Sequence, residues 1–137
     1  MALTHLVDSS VLTRLGQHAV REAIEPKAER SELARAGISD LEVGYSARNA
    51  AEWDRLAEAL NAFDLVETTA AHVRRARQVQ RLLASKHQRG RKVPDLLVAA
   101  AAEAENLVVL HYDADFDRIA AVTGQSCEWV VRAGSVD

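Results

Sequence analysis

Short apolar runs alternate along the chain with amphipathic stretches, a pattern that predicts strands interleaved with helices. Residues 4–7 are apolar and lead into Asp8-Ser9-Ser10, as a buried first strand closed by polar residues would. A helix is expected from residue 11 to about 16, with Ser9 or Ser10 as its N-cap. Residues 17–32 are mixed and charged and suggest short helices with loops, and residues 33–38 form a second strand candidate despite Gly37. A helix is expected from Ser39 to about Arg48. Another is expected over about residues 50–62, with Trp53, Leu56 and Leu60 on one face as core or as a dimer surface. Leu65-Val66 suggests a brief strand. Thr69 then caps a long basic helix whose apolar side is Val73, Ala76, Val79 or Gln80, and Leu83, with Gly90 ending it. Pro94 opens an alanine-rich helix to Glu105, and residues 107–110 form the most apolar strand candidate. Asp113 or Asp115 caps a helix reaching Thr123, and residues 128–131 form a last strand.

Strands alternating with helices imply an α/β fold with a mostly parallel sheet of four to five strands between helical layers. The 137 residues fit a single domain, 1–137. In such sheets reactive groups gather at the carboxyl ends of the strands, where helix N-termini converge. The longest unbroken apolar stretch, residues 96–102, is far short of a membrane span of roughly 20 residues. The first residues lack the basic start and long apolar region of a secretion signal. The single cysteine, Cys127, excludes an internal disulfide, fits a reducing cytoplasm and reads as a packing residue.

A net charge of −3 conceals an uneven layout. Residues 69–92 contain eight cations (Arg74, Arg75, Arg77, Arg81, Lys86, Arg89, Arg91, Lys92) and no acid. The remainder has nine cations against twenty acids. A basic stripe on an acidic chain can hold phosphates.

Five carboxylates fall at expected strand ends or helix starts: Asp8, Glu42, Asp95, Asp113 and Asp115. Each also has a purely structural reading. Ser39-Asp40-Leu41-Glu42 matches a capping box, Pro94-Asp95 a normal helix opening, and Asp113 and Asp115 an N-cap and a first-turn acid. Asp8 fits a turn. Together on one rim they make a sharper demand. Like charges within a few ångströms repel by roughly 1–4 kcal/mol per pair at surface-like dielectric, so some take up protons unless a cation intervenes. An all-oxygen site suits Mg²⁺ or Mn²⁺ rather than zinc, and such ions serve phosphoryl chemistry.

Four segments, in order, resemble the motifs of PIN-domain nucleases: Leu6-Val7-Asp8-Ser9-Ser10-Val11, Ile38-Ser39-Asp40-Leu41-Glu42-Val43, Pro94-Asp95-Leu96-Leu97-Val98-Ala99, and His111-Tyr112-Asp113-Ala114-Asp115-Phe116. The size resembles that of VapC-type toxins, stand-alone PIN domains of toxin–antitoxin pairs. The resemblance implies a PIN-like α/β/α sandwich and a ribonuclease that hydrolyses RNA phosphodiesters by metal-activated water. In it Asp8, Glu42, Asp95 and Asp113 form the acidic pocket and Asp115 contributes further. Asp8 and Asp95 are the foremost ligands of a central Mg²⁺, for which Mn²⁺ can substitute, and Ser9 supports the metal or phosphate. It also implies a homodimer in the cytoplasm, inhibition of translation or growth, and silencing by a cognate antitoxin. His111 departs from the small polar residue of many relatives and reads as a packed or surface histidine.

The basic segment is expected to contact the RNA backbone, with Arg89, Arg91 and Lys92 nearest Asp95. Few aromatics are present and most fall on apolar faces, so recognition of RNA shape is expected over base stacking. The alternative is a PIN-like module that binds RNA or protein without cutting. A phosphoacceptor receiver domain fits worse: it needs an acid pair after the first strand and a late lysine, and residues 128–137 contain none.

Overall fold

The computed structural model describes residues 2–88 and 92–137. Its strands are β1 (His5–Val7), β2 (Leu33–Ala36), β3 (Asp64–Val66), β4 (Val108–His111) and β5 (Cys127–Trp129). All pair in parallel, in the order β3-β2-β1-β4-β5. Among the described residues the helices are α1 (Ser9–Leu12), α2 (His18–Glu29), α3 (Gly37–Gly44), α4 (Ala50–Leu60), α5 (Ala70–Ser85), α6 (Val93–Ala104) and α7 (Asp115–Thr123). The expected α/β/α sandwich is therefore present, with five strands and no antiparallel pair among the described residues.

Successive residues of a strand point to opposite faces, and in the central strands β1, β2 and β4 both faces are buried. Leu6, Ala34 and Val109 face a core built with Ala76, Val79 and Leu83 of α5, Val98 and Ala102 of α6, and Phe116 and Ile119 of α7. Their chain neighbours Val7, Leu33 and Leu110 face a second core built with Val11, Val20, Ile24, Val43 and Phe63. This double burial is why the strand segments read as unbroken apolar runs rather than alternating ones.

The sheet is built outward from β1 in two directions. The chain runs β1 to β2 to β3 on one side, then returns to add β4 and β5 on the other. The order thus reverses between β1 and β4, whose register pairs Val7 with Leu110. At such a reversal the connections leave to opposite faces and open a crevice beyond the strand ends. Asp8 and Asp113 follow those two strands.

Several sequence expectations need correction. Ser39 does not cap a helix: α3 begins directly after β2 with Ala36 in the cap position, so Ser39 is carried inside and fully buried. The Ser39–Glu42 capping box is therefore absent, and Glu42 lies in the second turn of α3. Asp8, not Ser9 or Ser10, caps α1, because its carboxylate accepts the Ser10 amide at 3.0 Å. Residues 18–29 form one helix rather than several, with Pro26 inside it. The basic helix ends at Ser85, before Gly90, which lies outside the described residues. Thr69 does cap it, and His72 completes a capping box, Thr69 and His72 each accepting the other's backbone amide at 3.2 Å. His72 is therefore buried where Val73 was expected, and Val73 is exposed. Ala114, not an aspartate, occupies the cap position of α7, which ends in a left-handed Gly124 at φ 75°. Trp53 is 48% exposed and Tyr45 92% exposed, so these two aromatics do not lie in the core.

Phe116 is fully buried and joins α7 to the sheet. Phe116→Ala is expected to cost about 3–5 kcal/mol of unfolding free energy, read by urea denaturation. A loss under about 1 kcal/mol would contradict this packing.

Candidate active site

The crevice beyond β1 and β4 is a cavity of about 290 Å³ lined by Asp8, Ser9, Ser10, Thr13, Arg14, Glu42, Lys92, Asp95, Tyr112 and Asp113. Four of the five carboxylates singled out in the sequence therefore share one cavity. The fifth, Asp115, is not in that lining but stands beside it. Asp95, Asp113 and Asp115 can each offer an oxygen within 4.8 Å of the other two.

Each acid is placed by a different element. Asp8 leaves β1 and caps α1. Its amide donates to the Leu110 carbonyl at 2.9 Å, extending the β1–β4 ladder by one residue. The Tyr112 amide donates to Ser10 Oγ at 2.8 Å, so the two strand ends are tied together across the crevice. Glu42 reaches in from α3. Asp95 is the third residue of α6, where the positive end of the helix dipole favours a carboxylate. Asp113 follows β4, accepting the Asp115 amide on Oδ1 at 2.9 Å and the Lys92 ammonium on Oδ2 at 2.8 Å.

Confinement shows in the proton affinities. Asp95 is 3% exposed, and its pKa is pushed up to about 8, chiefly by burial and then by the charge of Asp8, with Lys92 opposing. Burial also raises Asp8, against the hydrogen bonds from Ser10 and Ser9, with Asp113 adding to the rise. Glu42 is raised by burial and by Asp8, opposed by the Ser9 hydroxyl and Lys92. Asp113 goes the other way: burial pushes it up, but Lys92 and the Asp115 amide outweigh that.

Asp8 Oδ1, Glu42 Oε1 and Asp95 Oδ2 are buried and accept no hydrogen bond among the described residues. Buried carboxylate oxygens without donors are costly. A hard divalent cation held in the cavity, where Asp95, Asp113 and Asp115 offer oxygens within 4.8 Å of one another, would lower that cost, and an all-oxygen donor set is the kind Mg²⁺ and Mn²⁺ take. The residues present therefore fit such an ion.

The other sequence candidates are distributed unevenly. Ser9 and Lys92 line the cavity; Arg89 and Arg91 lie outside the described residues. Arg74, Arg77 and Arg81 line an open surface of α5 and not the acid cavity, while Arg75 pairs with Glu103 at 2.7 Å. His111 is fully buried against Phe116 and Trp129, its pKa lowered by burial. Cys127 is half-buried and packed against the core, its thiol pushed up to about 11, consistent with packing rather than reactivity. The sequence reading missed Ser10, Arg14 and Tyr112. A Ser10–Arg14 spacing of one helical turn was the available signal, and nothing linear linked either to Tyr112.

Residues 5–122 match the PIN domain family. The chain belongs to that family. Across its full length the chain is 65% identical over 137 residues to Ribonuclease VapC51 of Mycobacterium tuberculosis, all of which is covered. Its fold is similar to VapBC2 from Rickettsia felis, solved bound to a promoter DNA fragment, with a TM-score of 0.78 at 18% identity, covering 94% of this chain and 98% of that one. It is also similar to VapBC-5 of Mycobacterium tuberculosis, a member of the VapBC family of toxin-antitoxin systems. There the TM-score is 0.63 at 21% identity, covering 93% and 96% of the two chains.

The raised pKa of Asp95 has a signed consequence for the metal-free PIN domain. Its carboxyl titrates near 8 when folded against 3.8 ordinarily, so between those values the folded chain holds a proton the unfolded chain lacks. That stabilisation is complete below about pH 4 and lost as pH rises through about 8. Asp95→Asn should therefore raise Tm relative to wild type in EDTA, by an amount that grows from pH 5 to pH 8 and reaches several degrees, at roughly 2–8 °C per kcal/mol. A Tm difference that does not change with pH would contradict the assignment.

Proposed function

We propose that this chain is a metal-dependent ribonuclease and the toxin of a toxin–antitoxin pair, with residues 1–137 acting as a single PIN domain. The observation that carries the reading is the set of three carboxylate oxygens in one cavity at the strand-order reversal that find no donor among the described residues. The 65% identity to a chain named Ribonuclease VapC51 supports RNA as the substrate, and the VapBC likenesses support an antitoxin as partner. No described helix is long and apolar enough to cross a membrane. A cytoplasmic homodimer is the setting we assign.

Asp8, Glu42, Asp95 and Asp113 would hold the ion, Mg²⁺ by preference with Mn²⁺ as substitute, and Asp115 would contribute beside them. When bound, such an ion supplies positive charge to a phosphodiester and acidifies water. The chain's own part is placement. Asp8 and Asp113 are fixed by the tied ends of β1 and β4, so their separation is set by the sheet. Asp95 is held rigid by α6 packed on the same sheet. Any carboxylate left unneutralised can take the proton of the attacking water. Ser9, and Lys92 with Arg89 and Arg91, would contact substrate oxygens. The bond cleaved is a P–O bond of the RNA backbone, water adds to phosphorus, and no covalent bond to the enzyme forms.

Purified protein incubated with total RNA should give discrete cuts with Mg²⁺ or Mn²⁺ and none with EDTA. Asp8→Asn and Asp95→Asn should each lose more activity than the roughly 10–100-fold typical of groups one shell removed from a metal. Full cleavage by either variant would sink the reading.

A further inference from the structure

Among the described residues two cationic side chains, Arg14 and Lys92, line the acid cavity, and they are held in different ways. Arg14 is committed to partners outside the acid cluster. Its Nη1 donates to the Ser10 carbonyl at 2.7 Å, its Nε donates to the main-chain oxygen of Asp137 at 2.7 Å, and its guanidinium lies 4.8 Å from the Tyr112 ring centre. Lys92 is committed to an acid. Its Nζ sits 2.8 Å from Asp113 Oδ2, although the side chain is 61% exposed. The backbone of Lys92 is the cap position of α6, three residues before Asp95, so the stem is anchored while the ammonium remains on a flexible arm.

The position of that ammonium coincides with the acid cluster. Asp113, Asp95 and Asp115 are among the carboxylates whose charges act on Lys92. Those same three offer oxygens within 4.8 Å of one another. An ammonium hydrogen-bonded to one of these carboxylates lies on the approach of any ion that would bridge them. Two cations cannot share that carboxylate without repelling each other at a distance of a few ångströms.

We propose that Lys92 is an internal counter-cation that competes with the divalent ion, holding Asp113 Oδ2 in the metal-free protein and releasing it when the ion enters. The inference rests on the reading of this cavity as a metal site. It adds an exchange: the ion expels an ammonium, and the flexible stem leaves that ammonium at the mouth of the cavity, where a phosphodiester oxygen can receive it. Metal affinity is held down by the resident lysine, and an anionic substrate that draws Lys92 away favours loading of the ion. Coupling of this kind is reciprocal, so the ion equally favours the substrate.

Calorimetric titration of Mn²⁺ into wild type, Lys92→Gln and Arg14→Gln, at one pH and ionic strength, tests this without reference to activity. Lys92→Gln should bind Mn²⁺ at least about threefold tighter than wild type, a gain in keeping with release of a partly exposed ion pair. Arg14→Gln should show less than half that gain, because its guanidinium holds no ligand oxygen. Equal or weaker binding by Lys92→Gln overturns the proposal. Equal tightening in both variants also overturns it, since net charge alone would then account for the effect. Absence of Mn²⁺ binding to wild type overturns the metal site itself and this inference with it, which separates the two failures.

Discussion

Mutual repulsion among carboxylates held in one small cavity is the constraint on which the rest of the structure turns. The sheet reverses its strand order between β1 and β4, and the crevice opened there receives acids from β1, α3, α6 and the β4–α7 turn. Such a gathering opposes folding unless positive charge is supplied. The protein supplies part of it through protons held by Asp95 and through the ammonium of Lys92 on Asp113. Among the described residues three of the cavity's carboxylate oxygens remain without a donor. The unmet demand is chemical as well as energetic: it suits a hard cation, of the kind that serves phosphoryl chemistry.

Holding such a site open requires a rigid frame, and the frame is the two-faced core. Leu6 and Val7 bury opposite faces of the same short strand immediately before Asp8. The backbone that presents Asp8 is therefore clamped from both sides. The Ser10 hydroxyl then ties the start of α1 to the residue after β4. Local hydrogen bonds hold Asp8 and Asp113 individually, but the packing of distant segments is what brings the acids together. Apolar burial thus offsets a local electrostatic cost, an arrangement expected where function and stability diverge.

Much of this architecture was legible in the linear pattern. Two-sided burial makes the strands read as apolar runs, so residues 4–7 and 107–110 stood out, and the Pro94 and Thr69 helix starts were readable from local chemistry. The acids stood out because each follows such a landmark. What failed was local reading where a tertiary demand prevailed. Ser39-Asp40-Leu41-Glu42 has the letters of a capping box, but α3 starts without a loop after β2, which turns Ser39 inward and moves Glu42 toward the cavity. Val73 has the better apolar side chain, yet His72 is buried because it closes the cap with Thr69. Arg14 and Tyr112 meet across 98 residues of chain, and the pairing of Lys92 with Asp113 spans 21, so no spacing rule announces either.

The central claim is that acids from four separate elements share one divalent ion. A crystal soaked in Mn²⁺ and measured at the manganese absorption edge tests it directly. The account predicts an anomalous peak inside the cavity, at direct ligand distance from carboxylate oxygens of Asp95 and at least one of Asp8, Glu42 or Asp113. A cavity without a peak at saturating Mn²⁺, or a peak only on an unrelated surface, would contradict it.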